Sequence, residues 1–125
     1  MSDVANVVRR YVGFYNDNDI DGMLDCCAED VEFETITNPS GSIKLKGKEE
    51  MREILEATTR AFRERRHEVV ALIVDGQRVA AETVFSGVAA AELGQNVRPG
   101  EHVSIRGATI FEFRDSRLAR ICDYS

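Results

Sequence analysis

The second half of the chain constrains the fold most. From His67 onward it consists of the runs "HEVVALIV", "RVAAETVFSGVAAAE", "EHVSIRGATIFEF" and "RLARICDY", rich in β-branched and aromatic residues. Short turn-forming segments separate them. "DGQ" carries an Asp-Gly pair between the first two, "RDS" joins the last two, and the longer "LGQNVRPG" links the middle pair. Strands joined by connections this short pair antiparallel, and Asp-Gly is a strong hairpin signal. A sheet is therefore predicted over this half.

Strand periodicity then assigns faces, because successive side chains point to opposite sides. In "HVSIRGATIFEF" one face carries Val103, Ile105, Gly107, Thr109, Phe111 and Phe113, and the other carries Ser104, Arg106 and Glu112. The first set is the core face. In "VAAETVFS", Val79, Ala81, Thr83 and Phe85 look inward while Glu82 and Ser86 look out. "HEVVALIV" is apolar on both faces, so its outer face is expected to be covered, by a second copy of the chain in a homodimer. In the last strand Leu118 and Ile121 have opposite parity. Pattern alone does not say whether Asp123 points into the core or into solvent.

The first half reads helical. Val4, Val7, Val8, Tyr11, Phe14 and Tyr15 form one stripe over Asp3–Asn16, with Ser2 or Asp3 as the cap. "NDND" breaks this helix, and "DIDGMLDCCAED" is predicted as a second one. "VEFETIT" alternates Val31, Phe33 and Thr35 against Glu32 and Glu34, as a half-buried strand does. "NPSGS" reads as a loop, and "GKEEMREILEATTRAFRER" as a third helix, acidic in its first turn and arginine-rich in its last. "RAFRERRH" would be the solvated end of that helix, and His67 and His102 surface or capping residues. Gly13 inside the first helix costs up to about 1 kcal/mol against alanine, a cost consistent with either close packing or tolerated drift. The predicted order is helix, helix, strand, helix and four strands: an α+β domain with helices on one face of a curved, mostly antiparallel sheet.

Composition narrows the function classes. The 125 residues suffice for one domain, 1–125, with a real core. The content of 43% hydrophobic and 30% charged residues is that of a globular protein. A net charge of −6 lacks the basic footprint of nucleic-acid binding. No apolar run approaches the roughly 20 residues of a membrane helix, and "MSDVANVVRR" has no signal-peptide core. Cys26, Cys27 and Cys122 make a poor disulfide framework and read as small buried residues, which suits a reducing cytoplasm. No Cys/His spacing suggests a metal site.

Longer stretches carry a resemblance. "RRYVGFYNDNDIDGMLDCCAEDVEFE" resembles the opening of the nuclear transport factor 2-like superfamily, in the branch of SnoaL-like polyketide cyclases and ketosteroid isomerases. "KGKEEMREIL" is similar to that family's Gly-x-Glu-x-hydrophobic entry into its third helix, and "FEFRDSRLARICDY" to its closing hairpin. The resemblance spans essentially the whole chain. It implies a cone-shaped mixed sheet wrapped over three helices, with a deep apolar pocket at the open end.

What the resemblance implies for function is carried position by position. Tyr11 matches the tyrosine with which steroid isomerases hold an enolate oxygen. Their two aspartates fall near Thr35 and Thr109, so isomerase chemistry of that type is not expected. The Arg-x-Asp pair of the epoxide-hydrolase branch falls on Thr83 and Phe85, which argues against that branch. Asp123 matches the last-strand aspartate that serves both epoxide hydrolases and polyketide cyclases, and the match turns Ile121 and Asp123 inward. The expected site has Asp123 as general base and Tyr11 as hydrogen-bond donor. Thr35, Thr83 and Thr109 would orient polar edges of a ligand, Phe33, Phe62, Phe85 and Phe111 would wall it, and Tyr15 would also contact it. The implied activity is cofactor-free acid/base chemistry on a small hydrophobic carbonyl compound. Its alternatives are a non-catalytic ligand-binding or dimerisation module, and an epoxide hydrolase-like enzyme.

Overall fold

The computed structural model describes residues 3–37, 41–90 and 98–124. The elements run α1 (Val4–Asn16), α2 (Ile20–Asp25), β1 (Cys27–Thr37), β2 (Gly41–Lys46), α3 (Lys48–Ala61), β3 (Phe62–Asp75), β4 (Arg78–Ala89), β5 (His102–Arg114) and β6 (Arg117–Tyr124). Asp3 caps α1 by accepting the Asn6 N–H. The "NDND" break works as its residue types suggest. Asn18 takes a left-handed φ of 58°, and Asp19 caps α2 by accepting the Gly22 N–H at 2.9 Å. Gly22 is required sterically, since a Cβ there would stand 2.6 Å from the Phe14 ring. At Gly13 a Cβ would meet nothing within 4 Å, so close packing does not explain that glycine.

The strands form a curled, unclosed six-stranded sheet in the order β2-β1-β6-β5-β4-β3, antiparallel except for the parallel β1–β6 pair. The helices pack on its inner face. Val8, Tyr11 and Tyr15 of α1, Met23 of α2 and Met51 and Leu55 of α3 meet Val31, Phe33, Val79, Ala81, Phe111 and Ile121 in one buried cluster. Both predicted hairpins form. Gly76 supplies φ 59° after Asp75, and Asp115 and Ser116 both take positive φ, as the favoured two-residue hairpin turns require.

Some boundaries differ from the sequence expectation. β2 was not anticipated. It is a six-residue edge strand whose only apolar side chains are Ile43 and Leu45, too short a run to stand out as a strand, and part of the expected loop before it, residues 38–40, lies outside the described residues. β1 begins at Cys27, within the segment expected to be helical. α3 ends at Ala61, and "FRERRH" is strand, not a solvated helix end. Phe62 pairs with Ala89, its ring meets Phe85 edge-on at 4.9 Å, and Gly87 leaves room for it, a Cβ there lying 3.3 Å away. Those contacts outweigh the helix propensity of the arginines and glutamates. Much of the predicted "LGQNVRPG" connection lies outside the described residues.

Bulges decide which side chains face the helices. β6 pairs Glu112 with Arg120 but Phe113 with Leu118, so Ala119 is an extra residue. That insertion lets Leu118 and Ile121, of opposite parity, both be buried (0% and 1% exposed), and it carries Asp123 to the inner face. In β3 the pairs Ala71–Glu82 and Val69–Thr83 leave Val70 bulged, and a second irregularity lies between Arg63 and Arg66, where Glu64 has φ 54°. Between these bulges His67 sits opposite Phe85, on the inner face.

Candidate functional site

The inner face of the sheet opens into a hollow of about 330 Å³, continued by a recess of about 40 Å³. Tyr15, Phe33, Thr83 and Asp123 line both spaces and so stand at their junction. Thr35, Phe62 and Phe85 line the outer hollow; Tyr11, Thr109 and Phe111 line the recess. The ten residues singled out in the sequence thus all line the hollow or the adjoining recess. Ile54, Leu55 and Ile105 add apolar wall.

Asp123 is the one acid lining either space among the described residues. Cross-strand register fixes its surroundings: Thr35 of β1 on one side and Thr109 of β5 on the other. Residues directly opposite in a sheet share a face, so the three form a row across it. The Thr109 hydroxyl donates to the Asp123 carboxylate. Burial pushes that carboxyl above its ordinary range, opposed by the Thr109 hydrogen bond and by His67. The positions read as missing aspartates are these two neighbouring threonines. No second carboxylate crowds Asp123, and one neighbour donates to it instead.

Tyr11 comes from α1 and is buried, with its ring edge-on to Phe111 at 5.9 Å. Burial, then nearby Cys27 and Asp123, push its phenol well up, so it stays protonated and keeps an O–H to donate. Cys27 is buried too, and its thiol is pushed up to about 12, which makes it an inert filler of the core.

Sequence reasoning missed His67 and Arg65. His67 was expected at the surface, yet its ring lines both the hollow and the recess. It stacks on Tyr15 at 4.6 Å and meets Phe85 edge-on at 5.4 Å. β3 is the edge of the sheet, and Asn16 stands in for a further strand: it accepts the His67 N–H at 2.7 Å and donates to the His67 carbonyl at 3.0 Å. Arg65, 5% exposed, lays its guanidinium 3.9 Å from the centre of the Tyr15 ring. Its Nε donates to Asn18 at 2.9 Å, while Nη1 and Nη2 have no partner among the described residues. His102, by contrast, is exposed as expected. The hairpin register could not reveal His67, because continuing it without the Val70 bulge sets Glu68, not His67, opposite Phe85.

This architecture is shared with solved proteins. The chain is similar to a candidate polyketide cyclase from Xanthomonas campestris pv. campestris, at 25% identity over 98% of this chain and 89% of that one, with a TM-score of 0.78. It is similar in fold to a Catenulispora acidiphila protein with a ketosteroid isomerase-like fold (15% identity, 95% and 84% covered, TM-score 0.77). The same holds for a LEH-like epoxide hydrolase of M. tuberculosis (16% identity, 97% and 80% covered, TM-score 0.77). No functionally curated protein matches the sequence. A SnoaL-like domain model matches residues 8–121, nearly the whole of the curled sheet and its helices, and the chain therefore belongs to the SnoaL-like domain family within the nuclear transport factor 2-like superfamily.

Proposed function

We propose that this protein is a cofactor-free acid/base enzyme acting on a small hydrophobic carbonyl compound, in chemistry of the polyketide cyclase or isomerase kind. The observation that supports this reading is that Asp123 is the one carboxylate lining the hollow and the recess among the described residues, with burial raising its pKa. Asp123 takes a proton from carbon next to the substrate carbonyl. A raised carboxyl is a stronger base than an ordinary one. Negative charge then develops on the carbonyl oxygen, which Tyr11 meets with its retained phenolic proton. Thr35, Thr83 and Thr109 hold polar edges of the ligand, while Tyr15, Phe33, Phe62, Phe85 and Phe111 enclose its apolar body.

The carbon-acid probe 5-nitrobenzisoxazole tests the base directly. Loss of its ring C–H proton to a base opens the N–O bond and releases a coloured cyanonitrophenolate, so no natural substrate is needed. Turnover by the wild type that is lost in Asp123→Asn supports the reading. Equal turnover by the two proteins eliminates it.

The second reading, a non-catalytic ligand-binding or dimerisation module, draws on the threonines at 35 and 109. The open 330 Å³ hollow weighs against a module whose pocket has collapsed around its phenylalanines. An epoxide hydrolase-like activity would rely on Asp123 without the Arg-x-Asp pair, since Thr83 and Phe85 occupy those positions. In any of these roles we expect a homodimer joined through the apolar outer face of the sheet, where Val70 and Ile73 are 55% and 70% exposed. Three free, buried thiols fit a reducing cytoplasm.

A further inference from the structure

We propose that His67 is a second catalytic residue: a neutral imidazole that donates an N–H hydrogen bond to the substrate oxygen, held in place by the stack Arg65–Tyr15–His67. The proposal rests on Asp123 as the base, and it adds a group that neither the sequence pattern nor the reading above uses.

Position comes first. Tyr11 lies only on the recess, whereas His67 borders both spaces, as Asp123 does. A substrate oxygen lodged where the two spaces meet would have Tyr11 on the recess side and His67 beside it. Two donors converging on one developing charge are what an oxyanion site requires.

Rigidity comes next. The His67 ring is sandwiched against Tyr15 and braced by Phe85, and both backbone hydrogen-bonding groups of the residue are tied to Asn16. Among the described residues no hydrogen bond engages its ring nitrogens, so they are available to a ligand. The Val70 bulge turns His67 inward, and Arg65 follows it with a guanidinium that lies over the Tyr15 ring and whose Nη1 and Nη2 meet no geometric hydrogen-bond partner among the described residues. A buried cation lacking full hydrogen bonding is expensive, and a plain apolar core would not contain one.

Protonation is consistent with this role. The titratable or charged groups around His67 are Tyr15 from α1, Arg65 on its own strand and Asp123 from β6; β4 presents only Phe85. Burial, reinforced by the Arg65 cation, pushes the imidazole below its ordinary value, while Asp123 pulls it back up. The ring is therefore neutral at neutral pH, with one N–H to donate. The step balances without an added reactant. Asp123 accepts the carbon-bound proton, the C–H pair becomes the enolate double bond, and the carbonyl π pair moves to the oxygen held by Tyr11 and His67. The proton then returns from Asp123 to carbon.

The test uses 4-nitrophenolate as a stand-in for the enolate oxygen. Its binding should move the ring ¹⁵N signals of His67 and leave those of His102 in place. His67→Phe should weaken binding about tenfold or more, and His67→Gln, which keeps an N–H donor, should recover most of that loss. In Arg65→Met the His67 titration midpoint should rise. Failure of the wild type to bind, equal affinity in wild type and His67→Phe, or an unmoved His67 signal each overturns the proposal. An unmoved midpoint in Arg65→Met, with Arg65→Lys as the variant to use if Met fails to fold, overturns the role of the stack. Phenolate affinity reports on His67 and nitrobenzisoxazole turnover on Asp123, so the two assignments fail separately.

Discussion

Replacing Asp123 with Asn should make the protein more stable at neutral pH, while removing its chemistry. The folded state holds the Asp123 carboxyl above its ordinary range because burial strips its water. Between the unfolded value, about 4, and the raised folded value, the native state keeps a proton that the unfolded chain has released. Stability contributed by Asp123 therefore falls as pH rises through that window, and the loss is complete above the folded value. Each unit of elevation costs about 1.36 kcal/mol. Asn carries no charge and still offers an oxygen to the Thr109 hydroxyl. Its expected gain near pH 7 is about 1–3 kcal/mol, the range for relieving an uncompensated buried polar group, or roughly 3–6 °C per kcal/mol in Tm for a domain of this size. Urea unfolding of both proteins across pH provides the assay. The gap between the two curves isolates Asp123, because the other acids titrate in both. It should be near zero at about pH 4 and widen with pH in favour of the variant. A variant that is less stable at pH 7, or a gap independent of pH, would refute a desolvated carboxylate.

Other outcomes follow from the same geometry. Thr109→Val removes a hydrogen bond that favours the ionised carboxylate, so the pH midpoint of nitrobenzisoxazole turnover should move upward. Asn16→Ala leaves the His67 N–H and carbonyl without their partner at the sheet edge and should cost about 1–3 kcal/mol by urea unfolding. Gly22→Ala drives a methyl to 2.6 Å from the Phe14 ring and should cost about 1–3 kcal/mol in the same assay. Light scattering should give a dimer mass for the wild type and a monomer mass for Ile73→Glu; a monomeric wild type would contradict the interface.

Periodicity made the architecture legible. Strand alternation placed Val79, Ala81, Thr83 and Phe111 on the inner face, and the helix stripe picked out Val8, Tyr11 and Tyr15, all of them buried. What periodicity cannot show is a bulge. A single extra residue at Ala119 settles which way Asp123 points, and another at Val70 decides between Glu68 and His67. The Ala119 bulge shows only as the opposite parity of Leu118 and Ile121, and the Val70 bulge leaves no mark, because each depends on pairing with a neighbouring strand. The orientation of Asp123 was reached only through family resemblance, which encodes such register. His67 and Arg65 had no comparable signal: a lone histidine and an arginine-rich run read as surface until α1 is seen packed against them. β2 escaped because it is a short, mostly exposed edge strand, with Leu45 packed against the core.

The account depends on Asp123 being a desolvated base, and the ¹³C titration of its carboxyl tests this most directly, with the signal assigned by its absence from Asp123→Asn. The prediction is a midpoint clearly above the ordinary aspartate value of about 4. A midpoint at or below that value would show a hydrated carboxylate and contradict the proposed chemistry.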